Sequence, residues 1–312
     1  VLLAALLLAV IAVALAWPVP ILLAGARWPS KAPGTALVLW QSIALAGGLS
    51  MIGALLVYGL IPFGHTLPDG VVGLSRTLLG AALPAGTGLD HVFALCSAFV
   101  LGLHLVLNLV ATIVRSERQR RRHRNLVRLL SEPLQGRPGT RVIDHAAPVA
   151  YCLPGATRSV TVLSNGMINL LSADELRAVI AHETAHLRQQ HHVVLLAFKS
   201  WHSALPWFPI ANRAENAVAL LVEMLADDQA RHVVDDRTLA RAIVLVGTAG
   251  DHDLVTDAAP TPPAGDLPLD MVAPRVRRLV GHPSPLPVPA RFGVLLVALA
   301  LLAVPTVMLL LT

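Results

Sequence analysis

His182-Glu183-Thr184-Ala185-His186 carries the clearest chemistry in the chain. Residues four apart share one face of an α-helix. Both imidazoles can therefore reach a single ion, at the spacing used by zinc hydrolases. Glu183, between them, is placed to take a proton from a water that the metal activates. A catalytic zinc takes three protein ligands, so a third has to come from elsewhere in the chain.

Two regions offer it. His192 stands ten residues after His182, where the metzincin pattern His-Glu-x-x-His-x-x-Gly-x-x-His has its last ligand. That pattern needs a glycine to break the helix, and position 189 is Gln. If the helix continues, His192 points away from the pair and His191 further still, both exposed near the helix end. The other region is Val222-Glu-Met-Leu-Ala-Asp-Asp228. Glu223 and Asp227 share a helical face, so Glu223 can ligate while Asp227 hydrogen-bonds a ligating histidine. Glu215 lies two turns earlier, and Asp227 and Asp228 could also be plain surface charge. Glu223 is the chosen third ligand.

The motif needs a helix beneath it and a scaffold beside it. Ser172-Ala-Asp-Glu175 reads as a capping box opening a helix to about residue 190. Residues 141–163 alternate in short apolar runs punctuated by Pro148, Pro154-Gly155 and Ser164-Asn-Gly166. They predict a small antiparallel sheet.

The rest of the chain is apolar. Of 312 residues, 55% are hydrophobic and only 14% charged, against roughly a quarter charged in a soluble protein. Segments 2–25, 36–60, 91–114 and 292–311 can each cross a bilayer. The first does not read as a signal peptide, because it has no basic flank and no cleavage pattern. His104 and Asn108 read as bundle-facing polar residues in the third. The expected organisation is a membrane region over 1–114, a domain over 115–290 and a fourth span over 291–312. The fold class is α+β: a multi-span helical protein bearing a cytoplasmic, gluzincin-like zinc domain.

Sidedness follows the basic residues. Six arginines fall between Arg115 and Arg124, and Arg275, Arg277, Arg278 and Arg291 precede the last span. This puts 115–290 in the cytoplasm and both termini outside a cell membrane. The net charge of +5 does not make a nucleic-acid binder, because the arginine run abuts a span and lacks interleaved aromatics. Residues 193–210 could be drawn as a fifth span, but that would put Glu223 across the membrane from His182. An interfacial or re-entrant hairpin, with Trp201 and Trp207 at headgroup depth, keeps the site together. Cys96 and Cys152 form no metal pair and no disulfide framework.

Three stretches, "SADELRAVIAHETAHLRQQHH", "LPWFPIANRAEN" and "VEMLADDQAR", resemble the zinc domain of the BlaR/MecR-type antirepressor metallopeptidases. HtpX and CAAX-protease gluzincins are the more distant relatives. The opening of the chain resembles short BlaR-like members. The resemblance implies that His182, His186 and Glu223 hold one Zn2+, that Glu183 is the general base and that Asp227 orients a ligating histidine. It implies a sheet edge at "PVAYCLPG" that pairs with substrate, and makes Arg275 or Arg278 a candidate near the site. His282 is a further candidate for stabilising the oxyanion. The implied substrate is a cytosolic BlaI-type repressor, with self-cleavage or a homo-oligomer as further partners. No penicillin-binding sensor follows the fourth span here, so direct covalent β-lactam sensing is not expected. HtpX-like quality control of membrane proteins, and a non-catalytic zinc-stabilised signalling scaffold, are the alternatives.

Overall fold

The computed structural model describes residues 1–134, 139–153, 160–205, 209–249 and 269–312. Pro154-Gly155, Pro206 and Trp207 lie outside them. The described chain is mostly helical with one small sheet, and it divides into two compact units. The first is Val1–Ala111, Phe198–Val218 and Leu286–Thr312; the second is Thr112–Ala197 and Ala219–Pro285.

The first unit is a bundle of apolar helices. Among the described residues four helical segments have the length and composition to cross a membrane: Leu2–Gly25, Pro33–Gly59, Leu89–Leu130, which continues past Ala111 into the second unit, and Val288–Leu311. Pro18 divides the first into α1 (Leu2–Ala16) and α2 (Pro18–Gly25), since a proline ring cannot continue the preceding turn. α3 (Pro33–Gly59) is the most buried span. Its small residues Ala46, Ser50 and Gly53 let neighbours approach, and a Cβ at Gly53 would sit 2.9 Å from Leu309 of the last helix. Elsewhere Leu, Val and Phe are exposed along whole faces, as suits helices surrounded by lipid tails. The short α4 (Leu67–Leu78) is capped by Thr66, whose hydroxyl accepts from Asp69 N–H.

α5 (Leu89–Leu130) does not end with its apolar part. It runs unbroken for 42 residues through the arginine run, or about 63 Å at 1.5 Å per residue. His104 Nε2 lies 3.1 Å from the carbonyl oxygen of Ala204, and Asn108 Nδ2 donates to Ser200 O at 2.7 Å and Ser203 Oγ at 2.8 Å. Those partners sit at the end of α8 (His191–Ala204); α9 (Pro209–Ala230) is the next helix. Residues 198–218 therefore group with the apolar helices.

The second unit holds the sheet: β1 (Ser131–Pro133), β2 (Thr140–Ile143), β3 (Ala150–Leu153) and β4 (Val160–Ser164), in the order β1-β2-β4-β3. The sheet is mixed, not purely antiparallel: β2 and β4 pair in parallel, while the other two ladders are antiparallel. Alternation of apolar residues encodes which face is buried but not strand order. The link from β2 is long enough for β3 to skip one position, and β4 then inserts between them. β3 is left as a sheet edge. Ser164 N–H donates to Val149 O, so the bonds alternate and leave the backbone groups of Ala150 and Cys152 pointing away from β4.

Ser164 ties this corner together. Its buried hydroxyl accepts from Val149 N–H at 2.8 Å and Met167 N–H at 3.0 Å, and donates to Ala147 O at 2.6 Å. It also caps α6 (Asn165–Leu170). α7 (Ala173–Arg188) opens with the expected capping box, Ser172 and Glu175 each bonding the other's backbone. Behind it α10 (Asp236–Ala249) and α11 (Leu269–Gly281) close a core of Ala178, Leu239, Ala242, Ile243, Val272 and Leu279.

Candidate metal centre

α7 and α9 bring three side chains to one point. His182 Nε2 and His186 Nε2 are 3.1 Å apart; Glu223 lies 3.2 Å from the first and 3.4 Å from the second. Ligands about 2.0–2.2 Å from a tetrahedral zinc stand roughly 3.3–3.5 Å from each other. The two imidazole nitrogens and the two oxygens of the Glu223 carboxylate thus lie near the spacings of zinc ligands. Two imidazole nitrogens and a carboxylate converging from two helices are a donor set that zinc takes. On this donor chemistry the residues fit a zinc ion.

Around them stands a layer of ionic support. His182 Nδ1 is 2.9 Å from Asp227 Oδ1, a close but bent contact. Arg275, buried in α11, grips Asp227 with two bonds of 2.8 and 2.7 Å, and its Nη1 reaches Glu223 Oε2 at 3.0 Å. Arg278 is engaged with Asp228 through bonds of 2.7 and 2.9 Å. His282 is exposed and lies 3.1 Å from Asp236. Of the late basic candidates, Arg275 alone among the described contacts touches the site's carboxylates, and it holds them in place. Glu215 lies 3.8 Å from His202.

The electrostatics follow from this arrangement. Burial opposes charge on His182, but Asp227 and then Glu223 outweigh it and push its pKa up to about 10. His186 has no such carboxylate pair, and burial takes it down to about 3. Burial also resists ionising Glu223, yet Arg275 and His182 hold it at about 2. Asp227 is held low by Arg275 in the same way. Glu183 is lifted mainly by burial to about 7, with His182 pulling it down and Glu223 pushing it up. A carboxyl near neutrality is the range a general base needs. Beside it, Cys152 is raised by burial to about 11 and is a poor nucleophile.

Two histidines depart from their expected place. His191 is not exposed: it is 2% accessible, and its Nδ1 lies 3.0 Å from His186 Nδ1. His192 is half-buried as well. The helix breaks without a glycine, because Gln190 takes φ of +50°. That left-handed residue turns the chain back, so α8 begins with His191 against the motif. A histidine pair directly after Gln-Gln is the only sequence signal of this, and it does not specify the turn.

Residues 116–233 match the family model of Peptidase family M48, a family of zinc-dependent metallopeptidases. The matched segment takes in His182, Glu183, His186, Glu223 and Asp227, and it supports an M48-type metallopeptidase domain. No curated protein and no solved structure matches the chain.

Proposed function

We propose that this chain is a membrane zinc endopeptidase in which His182, His186 and Glu223 hold the ion and Glu183 is the general base. The observation that carries this reading is the convergence of two imidazole nitrogens, 3.1 Å apart, on the Glu223 carboxylate, whose two oxygens lie 3.2 and 3.4 Å from them, with a raised carboxyl beside them. When bound, zinc supplies Lewis-acid polarisation of a substrate carbonyl and of water. Glu183 takes the proton of the attacking water and passes it to the leaving amine. Asp227 holds His182 from its far nitrogen, and Arg275 fixes the Asp227 and Glu223 carboxylates. The substrate backbone lies along β3, whose outward edge faces Glu183: the Cys152 N–H meets the Glu183 carboxylate, and the backbone groups of Ala150 point the same way as an added strand would need.

The four apolar helices span a cell membrane, with the zinc domain on the cytoplasmic side as the basic residues direct. By resemblance the substrate is a cytosolic BlaI-type repressor, and the role is that of an antirepressor in a signalling pathway. A second reading, HtpX-like quality control of membrane proteins, draws on the edge strand, since backbone pairing accepts many sequences. The neo-N-termini of cells expressing wild type and Glu183→Gln decide between them. Loss of one repressor fragment in the variant supports the antirepressor role, and loss of many membrane-protein fragments supports quality control. No difference under several cell-wall stresses refutes the protease reading and favours a zinc-stabilised scaffold.

A further inference from the structure

The turn at Gln189–Gln190 places three side chains in a line leading away from the proposed zinc. His186 Nδ1 lies 3.0 Å from His191 Nδ1, and His191 Nε2 lies 2.7 Å from Gln189 Oε1. His186 meets Glu223 and His182 through its other nitrogen, Nε2. His186 and His191 meet edge to face, their ring planes 86° apart. His191 is 2% exposed, while Gln189 at the helix end is exposed.

We propose that His191 is a positioning residue for the metal ligand His186, its tautomer set by Gln189. This inference rests on the zinc reading above. A neutral imidazole has one donor and one acceptor nitrogen. To ligate through Nε2, His186 must carry its proton on Nδ1 and needs an acceptor there. His191 Nδ1 is that acceptor only if its own proton sits on Nε2, and the Gln189 carbonyl oxygen receives that proton's hydrogen bond. Each link has one sense once Nε2 of His186 is committed to an ion. If Gln189 were reversed, so that its amide donated, His191 would donate to His186 and the ligating lone pair would be lost. Asp227 does the corresponding work for His182. The two ligating histidines are thus backed by different chemistries, an arginine-held carboxylate and a neutral relay.

The test measures zinc affinity by chelator competition on the full chain in nanodiscs, for wild type, His191→Ala and His191→Gln. Partners that orient a ligating histidine are typically worth 10–100-fold in metal affinity. His191→Ala is expected to lose about tenfold or more. His191→Gln, which restores an acceptor oxygen, is expected to stay within about threefold of wild type. If His191→Ala does not fold, His191→Met, of similar size and without an oxygen or nitrogen acceptor, takes its place in the comparison. Wild-type affinity in the variant lacking the acceptor overturns the proposal, as does an equal loss in His191→Gln. A wild-type protein that binds no zinc overturns the zinc reading itself, which is a distinct outcome.

Discussion

Replacing Arg275 by Met tests the charge balance of the site most directly. Arg275 is 3% exposed and makes three contacts of 2.7–3.0 Å with Asp227 and Glu223. Methionine fills similar space without charge, so Asp227 and Glu223 would face only His182. Breaking one partner out of a buried pair costs about 3–5 kcal/mol. For a domain of 150–250 residues each kcal/mol is about 2–4 °C in Tm, so a drop of about 6–20 °C is expected in chelator. Zinc restores positive charge where Arg275→Met removed it, so the gap to wild type should narrow when zinc is added. By linkage the variant then binds zinc more tightly than wild type.

Tryptophan fluorescence would miss this: Trp17, Trp28, Trp40, Trp201 and Trp207 all lie outside 112–197 and 219–285. A thiol-reactive dye on a Cys96→Ser background reports the second unit instead, through Cys152 in β3. A gap below about 1 kcal/mol, or one that zinc leaves unchanged, would refute the reasoning that Arg275 neutralises buried carboxylates.

In chelator, stability should fall as pH rises from 6.5 toward 10. The folded His182 keeps a proton that the unfolded chain releases, so unfolding is favoured by up to about 1.4 kcal/mol per pH unit. Denaturant midpoints against pH check this, and His182→Asn should flatten the slope. Glu183→Gln should abolish peptide hydrolysis while leaving zinc bound, which metal analysis of the purified variant measures directly. Ser164→Ala strands the Val149 and Met167 N–H groups and should cost about 2–3 kcal/mol, read by chemical denaturation. Cys152, at about 11 rather than 9, should alkylate about 100-fold more slowly than a free thiol at pH 8. Iodoacetamide labelling followed by mass spectrometry gives the rate.

Much of the arrangement was legible locally. Apolar runs of membrane length, the capping box at Ser172 and the i, i+4 pair His182/His186 are each written within a few residues, and the helices reproduce them. What the sequence hid is set by tertiary contact. Arg275 meets Asp227 across 48 residues, and no local pattern announces that pairing. The parallel β2–β4 ladder depends on which strand inserts where. A helix continuing through Gln189–Gln190 would leave His191 exposed; a left-handed Gln190 ends it instead. Residues that end helices in this way are usually glycine or asparagine, so nothing in the composition warned of the turn.

The proposed pairing of substrate with the edge strand β3 has a consequence for what can be cut. An edge engages main chain, and main chain is offered only by a segment that has let go of its own partners. The enzyme would therefore sort its substrates by their readiness to come undone. Two proteins with the same scissile sequence would differ about tenfold in cleavage for every 1.4 kcal/mol needed to open the segment locally. A stable fold would be its own protection, and damage, unfolding or the loss of a partner would be the signal that exposes the bond.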